Sequence, residues 1–482
     1  MLRAVFLYAL VGLCLLPPLV HAGERKMIVG FRKALGVTDF EKHDRVRRAG
    51  GRLGRSHAVI NAVAVRIPEE AIAALKQDPL VAYVEEDRVF SVTEPQVQQS
   101  APSPEYLQSW GVTRIGADLA ARNGIRGAGV KVAIIDTGID YNHPDLKDNY
   151  RGGYNFLLEN SDPYDDSRTG HGTHIAGIIA AKDNGTGVVG VAPDASIYAL
   201  KVLNRFMFGS TSDVLAALEW AISNKMDVIN VSFGMPNDPL FFSQAVKDAC
   251  DLAHQSGIII VAAAGNSAQP VLDYPADFDS VIAVAATDAN DSHAPFSNYG
   301  AKVELAAPGV GITSTVPGGG YGPLTGTSQA TPHVAGAAAL LLSTGVTASV
   351  TASERVEKVR SMLGGSASDL GESGRDQYFG YGLVRATSSY TVQRTRGHLI
   401  NDALTLTVQP GQHTIEVINH GLRRLVIKTP QGVEDVAHAR HRNWSKENQY
   451  FTFDYQTDTT DRITFYPYGK KGSSAEISIS SN

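Results

Sequence analysis

Three polar side chains stand where apolar patterns of this sequence end or begin, and together they could carry out acyl transfer. Asp136 follows an apolar strand pattern, His171 precedes a helical pattern, and Ser328 opens a long apolar helical pattern. A serine hydroxyl is a weak nucleophile until a neighbouring imidazole takes its proton, and a carboxylate orients that imidazole. The sequence therefore supplies an acid, a base and a nucleophile in the chain order Asp, His, Ser.

Each of these side chains has a role that its local pattern favours. The carboxyl end of a parallel strand is where open α/β sheets place their sites, so Asp136 is expected to accept the His171 N–H. His171 is the expected general base and then general acid, while His174 is expected to pack inside its helix. Ser328 lies at a helix N-terminus, whose free N–H groups favour a developing oxyanion. The alternatives are a turn-forming Asp136 and a Ser328 that only caps its helix.

These residues lie in motifs that resemble those of a known family. The motifs are Asp136-Thr137-Gly138, His171-Gly172-Thr173-His174, Ala263-Ala264-Gly265-Asn266 and Gly326-Thr327-Ser328-Gln329-Ala330-Thr331-Pro332. In kind and order they resemble the motifs of the subtilisin-like serine proteases (subtilases), and the resemblance covers roughly residues 24–388. It implies a catalytic triad of Asp136, His171 and Ser328. It also implies an oxyanion hole formed by the Asn266 amide and the Ser328 backbone N–H.

The resemblance also implies where a substrate binds. Ser232-Phe233-Gly234 and Phe208-Gly209-Ser210 correspond to the two edges that clamp an extended peptide. Main-chain pairing there gives affinity, and side-chain pockets give specificity. The base of the family's first specificity pocket maps to Asp273. A carboxylate there would favour Lys or Arg before the cut bond, whereas an Asp273 that points to solvent or caps a turn would have no such effect.

One loop of the sequence resembles the calcium loop of the same family. The loop spans residues 182–193, and calcium takes about 6–8 oxygen ligands. The family's N-terminal Gln ligand maps near Tyr106, which does not match. An ordinary turn is the alternative to a structural calcium site. The ligands that the resemblance implies are the Asp145 carboxylate, the Asn184 side-chain oxygen and the backbone oxygens of Lys182, Thr186 and Val188.

Changes of composition along the chain predict four segments. Residues 1–22 have a positive start, a short apolar run and small residues before a cleavage point, as is typical of a secretory signal peptide. Residues 23–100 are rich in charge and end in a linker with Pro and Gln; they resemble the family's inhibitory propeptide, which chaperones folding. A permanent N-terminal domain is the alternative. Residues 101–388 are the predicted catalytic domain, and the period-two pattern of residues 389–482 favours an all-β domain.

The predicted catalytic domain alternates short continuous apolar runs with helical patterns. Such runs predict strands buried on both faces, and therefore a doubly wound, mostly parallel α/β sheet with helices on either side. The propeptide segment predicts a small α+β module that includes a strand at 58–59. Cys250, the single cysteine after the signal peptide, is expected to be buried and inert. Gln329 stands where the family usually has Met, which predicts altered packing or oxidation resistance.

Composition and charge limit the possible partners. The 482 residues carry a net charge of −6 without a basic stripe, so nothing in the sequence indicates binding to nucleic acid. The apolar run of the signal is too short for the ~20 residues of a membrane span. We therefore expect a secreted, monomeric serine endopeptidase, extracellular or, where the source has two membranes, periplasmic. It should cut protein or peptide substrates through an acyl-enzyme and remove its own inhibitory propeptide. A processing protease of narrow specificity and a catalytically idle protein-binding pseudo-protease are the alternatives.

Overall fold

A computed structural model describes residues 24–91, 105–122, 124–348 and 350–386, together with six strands of the C-terminal region. The predicted signal peptide and most of the predicted linker lie outside the described residues. In the described part of the chain, none of the helices combines the length and the apolar character that crossing a membrane needs.

Residues 24–91 form what we call the N-terminal unit, a small α+β structure as predicted. Its elements are β1 (Glu24–Phe31), α1 (Asp39–Arg48), β2 (Arg52–His57), β3 (Ala62–Pro68), α2 (Glu69–Gln77), β4 (Val81–Glu86) and β5 (Val89–Ser91). The first four strands form an antiparallel sheet in the order β2-β3-β1-β4. Helix α1 begins after Thr38 because Thr38 and Glu41 form a reciprocal capping box.

The predicted strand at 58–59 is wrong. These residues lie in the turn between β2 and β3, and the strand is the preceding segment Arg52–His57. Strand β2 is an edge strand in which Arg52, Gly54 and Ser56 are exposed, whereas Arg55 is half-buried and pairs with Asp213 at 3.1 Å. An edge strand of this kind lacks the apolar run that marks a buried strand, and charged side chains are common there.

Residues 105–386 form what we call the central unit. Its elements in chain order are α3 (Glu105–Gln108), α4 (Trp110–Arg114), α5 (Ala117–Arg122), β6 (Lys131–Asp136), β7 (Tyr150–Asn155), α6 (His171–Ala180), β8 (Ser196–Lys201), β9 (Phe208–Ser210), α7 (Thr211–Ser223), β10 (Val228–Val231), α8 (Gln244–Gln255), β11 (Ile259–Ala263), β12 (Ile282–Thr287), β13 (Leu305–Pro308), β14 (Ile312–Val316), β15 (Gly320–Leu324), α9 (Thr327–Ser343) and α10 (Ala352–Ser366). Seven of its strands form one sheet in the order β13-β12-β11-β10-β6-β8-β7, and every pairing in that sheet is parallel.

Helices cover both faces of this sheet, which confirms the doubly wound fold. Along β6, Val132 and Ile134 belong to a core shared with α6, α9 and α10. The alternate residues Ala133 and Ile135 belong to a second core shared with α7 and α8. Because successive side chains of a strand point to opposite faces, a strand buried on both sides must be apolar throughout. This explains the continuous apolar runs in the sequence.

The strand order reverses direction beside β6. After β6 the chain forms β7 and β8 on one side of it and then crosses to β10 on the other side. In open α/β sheets, ligands bind outside the carboxyl ends of the strands at such a switch point. Asp136 ends β6 and Ser232 follows β10, so both lie at this edge of the sheet.

The described strands of the C-terminal region form one six-stranded antiparallel sheet, in agreement with the period-two pattern. Strands β18 and β21 are long and pair with each other. Strands β19 and β20 pair with β18, whereas β16 and β17 pair with β21. The six strands are β16 (Ser389–Gln393), β17 (Leu404–Val408), β18 (Gly411–Thr429), β19 (Gly432–His438), β20 (Gln449–Thr457) and β21 (Asp461–Ser481).

Candidate active site

Asp136 lies fully buried at the carboxyl end of β6. Its carboxylate accepts a hydrogen bond from His171, whose Nδ1 lies 2.8 Å from Oδ1 and 3.0 Å from Oδ2. The backbone N–H of Thr137 donates to Oδ1 at 2.7 Å. An imidazole that donates from Nδ1 to a carboxylate keeps Nε2 as its basic nitrogen. The local geometry therefore gives His171 the tautomer that a general base needs.

His171 is the first residue of α6 and is almost completely buried. Burial alone would lower the pKa of His171, but the adjacent Asp136 carboxylate raises it above its usual value. The Asp165 carboxylate holds the start of the helix by accepting from Thr173 N at 3.0 Å and from Thr173 Oγ1 at 2.7 Å. A Cβ on Gly172 would lie 2.2 Å from a carbonyl oxygen of the loop after β6. The small residue beside His171 thus allows α6 to approach β6 closely.

Ser328 is the second residue of α9, and only 6% of its surface is exposed. Ser232 Oγ donates to the Ser328 carbonyl oxygen at 2.8 Å, and Asn230 Nδ2 donates to Ser232 Oγ at 2.9 Å. These bonds hold the start of α9 over the end of β10, which is the neighbour of β6. Ser328 therefore lies at the same sheet edge as His171. Within the described residues no hydrogen bond joins the two; such contacts often tighten only when substrate binds.

Asn266 follows β11 and is exposed beside the start of α9. Its Oδ1 accepts from Thr327 N at 2.8 Å and from Thr327 Oγ1 at 2.9 Å. Thr327 Oγ1 in turn accepts from Gly265 N at 3.2 Å. Because two donors hold Oδ1, Nδ2 is the atom of the amide that remains to donate to a ligand. Thr327 thus orients the amide, a role that the sequence analysis did not assign.

The two predicted substrate edges contact the N-terminal unit. Residues Phe208–Ser210 are β9, which pairs antiparallel with β5, so that Phe90 lies opposite Gly209. Phe90 is only 4% exposed, and its ring stacks on that of Phe233 with 5.5 Å between the ring centroids. A strand of the chain itself therefore occupies the edge that the sequence analysis predicted for substrate.

Asp273 lies between the two glycines that line the predicted specificity pocket. A Cβ on Gly234 would lie 2.6 Å from Asp273 Cβ, and a Cβ on Gly265 would lie 2.6 Å from Asp273 Oδ2. Burial raises the pKa of Asp273 to about 6, although a hydrogen bond from Asn298 opposes the shift. The side chain thus lies against both glycines.

Three other side chains singled out in the sequence are buried. His174 Nε2 lies 2.9 Å from Ile312 O and 3.0 Å from Gly322 O, and burial lowers its pKa to about 3, so it is a structural histidine. Cys250 is buried in α8, and burial raises the pKa of its thiol, which makes it unreactive. Gln329 is fully buried, and neither its Oε1 nor its Nε2 has a hydrogen-bond partner among the described residues.

Asp145 is fully buried under the predicted calcium loop. Its Oδ1 accepts from Asn184 Nδ2 at 2.9 Å, and its Oδ2 accepts from Tyr321 Oη at 2.9 Å and from Val188 N at 3.3 Å. Asn184 Oδ1 accepts from Thr186 N at 3.0 Å. The structure thus brings the predicted side-chain ligands together, with the nitrogen of the Asn184 amide next to Asp145.

Glu105 places a further carboxylate beside the predicted calcium loop, and the sequence analysis did not predict it. It is 5% exposed, its Oε2 has no hydrogen-bond partner in the described part of the chain, and burial beside Asp183 raises its pKa to about 7. It lies against the backbone of Asn184 and Gly185. Tyr106, the mismatched position, donates to Asp183 at 3.2 Å instead.

This donor set fits calcium, which prefers carboxylate, amide and carbonyl oxygens. The buried Glu105 oxygen without a partner is an observation of the kind that a cation would explain. The described residues hold no cluster of three or more His, Cys, Asp or Glu side chains placed to hold a metal ion. Backbone oxygens of the loop would therefore have to complete the shell, and the Asn184 amide would have to turn its oxygen inward.

The fold and the site together define a class of protein. A Ser nucleophile with its partners in the chain order Asp, His, Ser on an α/β sheet characterises subtilisin-like serine hydrolases. The profile of the subtilase family matches residues 127–382, and the chain belongs to this family. It is a serine endopeptidase, as the sequence analysis expected, and not an idle binding protein.

Individual relatives support the assignment. Subtilisin NAT of Bacillus subtilis subsp. natto is 42% identical over 374 residues, which cover 76% of this chain and 90% of that protein. The alkaline protease of Alkalihalobacillus alcalophilus is 39% identical over 376 residues, or 76% of this chain and 91% of that protein. Subtilisin DY of Bacillus licheniformis is 48% identical over 284 residues, or 58% of this chain and 97% of that protein.

Proposed function

We propose that the enzyme cuts peptide bonds through an acyl-enzyme on Ser328. The observation that carries this proposal is the hydrogen-bonded Asp136–His171 pair at the sheet edge where α9 begins. Ser328 Oγ bonds to the carbonyl carbon while its proton passes to His171 Nε2. His171 then gives that proton to the leaving amine as the C–N bond breaks. Water then attacks the ester carbon and gives a proton to His171, which passes it to Ser328 Oγ as the Oγ–C bond breaks.

The negative charge of the tetrahedral oxygen needs donors that are already in place. The proposed donors are the Ser328 backbone N–H, at the N-terminus of α9, and Asn266 Nδ2. Thr327 holds the Asn266 amide through two hydrogen bonds. Little reorganisation is therefore needed when the charge develops, which is the main source of stabilisation in sites of this type.

We further propose that residues 23–100 are an inhibitory propeptide that the enzyme removes itself, that residues 101–388 are the mature catalytic domain, and that residues 389–482 form a separate domain. The pairing of β5 with β9 supports inhibition, because an extended substrate would form the same main-chain bonds. The buried Phe90 ring, packed on Phe233, fixes this strand.

Carboxylates of the N-terminal unit also bind two helix starts of the central unit. Glu85 accepts from Ser243 Oγ at 2.6 Å and from Gln244 N at 2.8 Å at the start of α8. Asp87 accepts from Ser212 N at 3.0 Å at the start of α7. Anions at helix N-termini are stabilising. Because α7 and α8 cover one face of the sheet, these contacts support a chaperone role in folding as well as inhibition.

We also propose that residues 1–22 direct secretion, to the extracellular space or the periplasm. The loop after α6 would hold a structural calcium ion, whose charge would fix the loop against the buried carboxylates. The proposed ligands are oxygens of Asp145, Asn184 and Glu105 and the backbone carbonyls of Lys182, Thr186 and Val188.

The intact mass of the secreted protein tests this function. The wild type should lose the propeptide by a cut between about Asp87 and Tyr106, and Ser328→Ala should keep it. Ser343→Ala, at the far end of α9, is the matched control and should mature normally. If wild type and Ser328→Ala both remain full length, self-maturation is refuted. If both mature and both hydrolyse casein, the role of Ser328 is refuted.

A further inference from the structure

The segment that contains Asp273 closes the space between two stretches of chain beside the nucleophile. Asp273 N donates to Ala264 O at 2.9 Å, next to the proposed oxyanion residue Asn266. Tyr274 and Met235 form a two-way backbone bridge, with N–O distances of 2.8 and 2.9 Å. The segment that contains Asp273 thus bridges the stretch that follows β10 and the stretch that follows β11.

Each of these two stretches has a glycine where it faces Asp273. A Cβ on Gly234 or on Gly265 would lie 2.6 Å from an atom of the Asp273 side chain. Ser232 hydrogen bonds to the Ser328 carbonyl oxygen, and Asn266, next to Gly265, accepts from Thr327. The carboxylate therefore lies between two glycines whose segments also bond to the first residues of α9.

Few interactions of the Asp273 carboxylate replace the hydration that it loses on burial. Its hydrogen bond is a long one of 3.3 Å, from Asn298 Nδ2 to Oδ1. In the described residues it forms no salt bridge, whereas the neighbouring Asp277 pairs with Lys302 at 3.6 Å. A partly buried carboxylate without a cation is costly unless a ligand supplies one.

We propose that Asp273 makes the enzyme selective for a basic residue, Arg or Lys, immediately before the cut bond. In this proposal a long side chain reaches past the backbone of Gly234 and Gly265, and its cationic end pairs with the carboxylate. An apolar side chain of the same length leaves the carboxylate buried and unpaired. The inference rests on the proposed role of Ser328, and it identifies the substrate class as peptides and proteins with exposed basic residues.

Peptide substrates that differ only in the residue before the cut bond test the inference. The residues compared are Arg, Lys, Phe, Leu and citrulline, the last being a neutral analogue close in shape to Arg. At pH 8 the Asp273 carboxyl, with a pKa of about 6, is ionised. We expect the wild type to favour Arg over citrulline and Phe by about 10- to 100-fold in kcat/KM.

Three variants distinguish the effect of the Asp273 charge from that of its surroundings. Asp273→Asn keeps the shape and removes the charge, so the ratio of kcat/KM for Arg to kcat/KM for Phe should fall by about 10-fold or more. Asp277→Asn removes a neighbouring charge that already pairs with Lys302 and should keep the wild-type preference. If Asp273→Asn fails to fold, Asp273→Gly is the second variant to test. It should also lose the preference for Arg and should still cut Phe substrates.

The outcomes distinguish this inference from the proposed function. Equal kcat/KM for Arg, citrulline and Phe in an active wild type overturns the selectivity and leaves the function of Ser328 standing. The same holds if Asp273→Asn keeps the preference for Arg, or if Asp277→Asn loses it. Loss of all peptide cleavage on Ser328→Ala, with the preference for Arg present in wild type, supports both. Cleavage by Ser328→Ala at the wild-type rate refutes the proposed function itself.

Discussion

The fully buried amide of Gln329, directly after the nucleophile, makes a quantitative prediction about stability. Its Oε1 and Nε2 both lack partners among the described residues. A buried polar atom left without a hydrogen bond costs about 1–3 kcal/mol. Methionine has a similar length and no strong hydrogen-bonding group. Gln329→Met should therefore raise the free energy of unfolding of the central unit by at least about 1 kcal/mol.

The stability assay needs a background that does not digest itself, so both proteins should carry Ser328→Ala. A gain of about 1 kcal/mol corresponds to a rise in Tm of about 2–4 °C for a domain of this size. Gln255→Met is the matched control, since Gln255 is exposed at the end of α8, and it should leave Tm unchanged. A Gln329→Met protein whose Tm equals or falls below that of its parent would refute the reasoning.

The active counterpart of the same variant tests the predicted oxidation resistance. With Ser328 intact, Gln329→Met should retain activity in the absence of oxidant, because position 329 lies behind the nucleophile. Peroxide should then inactivate the variant faster than the wild type, since oxidation converts the thioether to a polar sulfoxide beside Ser328. Equal inactivation rates would show that oxidation at this position does not limit activity.

Four further predictions concern the catalytic groups and the loop after α6. Asn266→Ala should lower kcat by about 100-fold or more with little change in KM, the loss known for an oxyanion donor in a subtilisin; an unchanged kcat would reject the role. The kcat/KM of wild type should fall as the pH drops below the pKa of His171, because His171 must be neutral to act as a base. Asp136 raises that pKa above 6.5, so the fall should be centred above pH 6.5. Asp136→Asn should lower kcat by about 10⁴-fold and move this limb to lower pH. A chelator should lower the Tm of Ser328→Ala by about 2 °C or more, and less in Glu105→Gln; no change in either would refute calcium binding.

The positions of the candidate catalytic residues in the fold were predictable because they follow from local patterns. Asp136 is the polar end of a strand that must otherwise be apolar, and Ser328 opens a helix whose pattern is equally clear. The seven-stranded sheet follows from the same rule, since burial on both faces requires apolar residues throughout. The prediction failed at β2, an edge strand of mostly charged and small residues that carries no such pattern.

Residues that act through contacts distant in sequence were not predictable in the same way. Thr327 lies beside the nucleophile, yet its role depends on Asn266, which is 61 positions earlier. Glu105 stands in a short polar stretch, and its burial against Asp183 becomes visible only when the loop after α6 is in place. No local pattern distinguishes such a carboxylate from one in water.

The charged end of the N-terminal unit shows most clearly how composition can mislead. Glu85 and Asp87 stand in a run that would be expected to face water, but they bind helix starts 158 and 125 positions later in the chain. Both helices have N–H groups that need acceptors, and the unit supplies them before any cut is made. After release, Ser243 and water must replace Glu85 at α8. The geometry that makes this unit a good inhibitor is thus the same geometry that would stabilise the helices during folding.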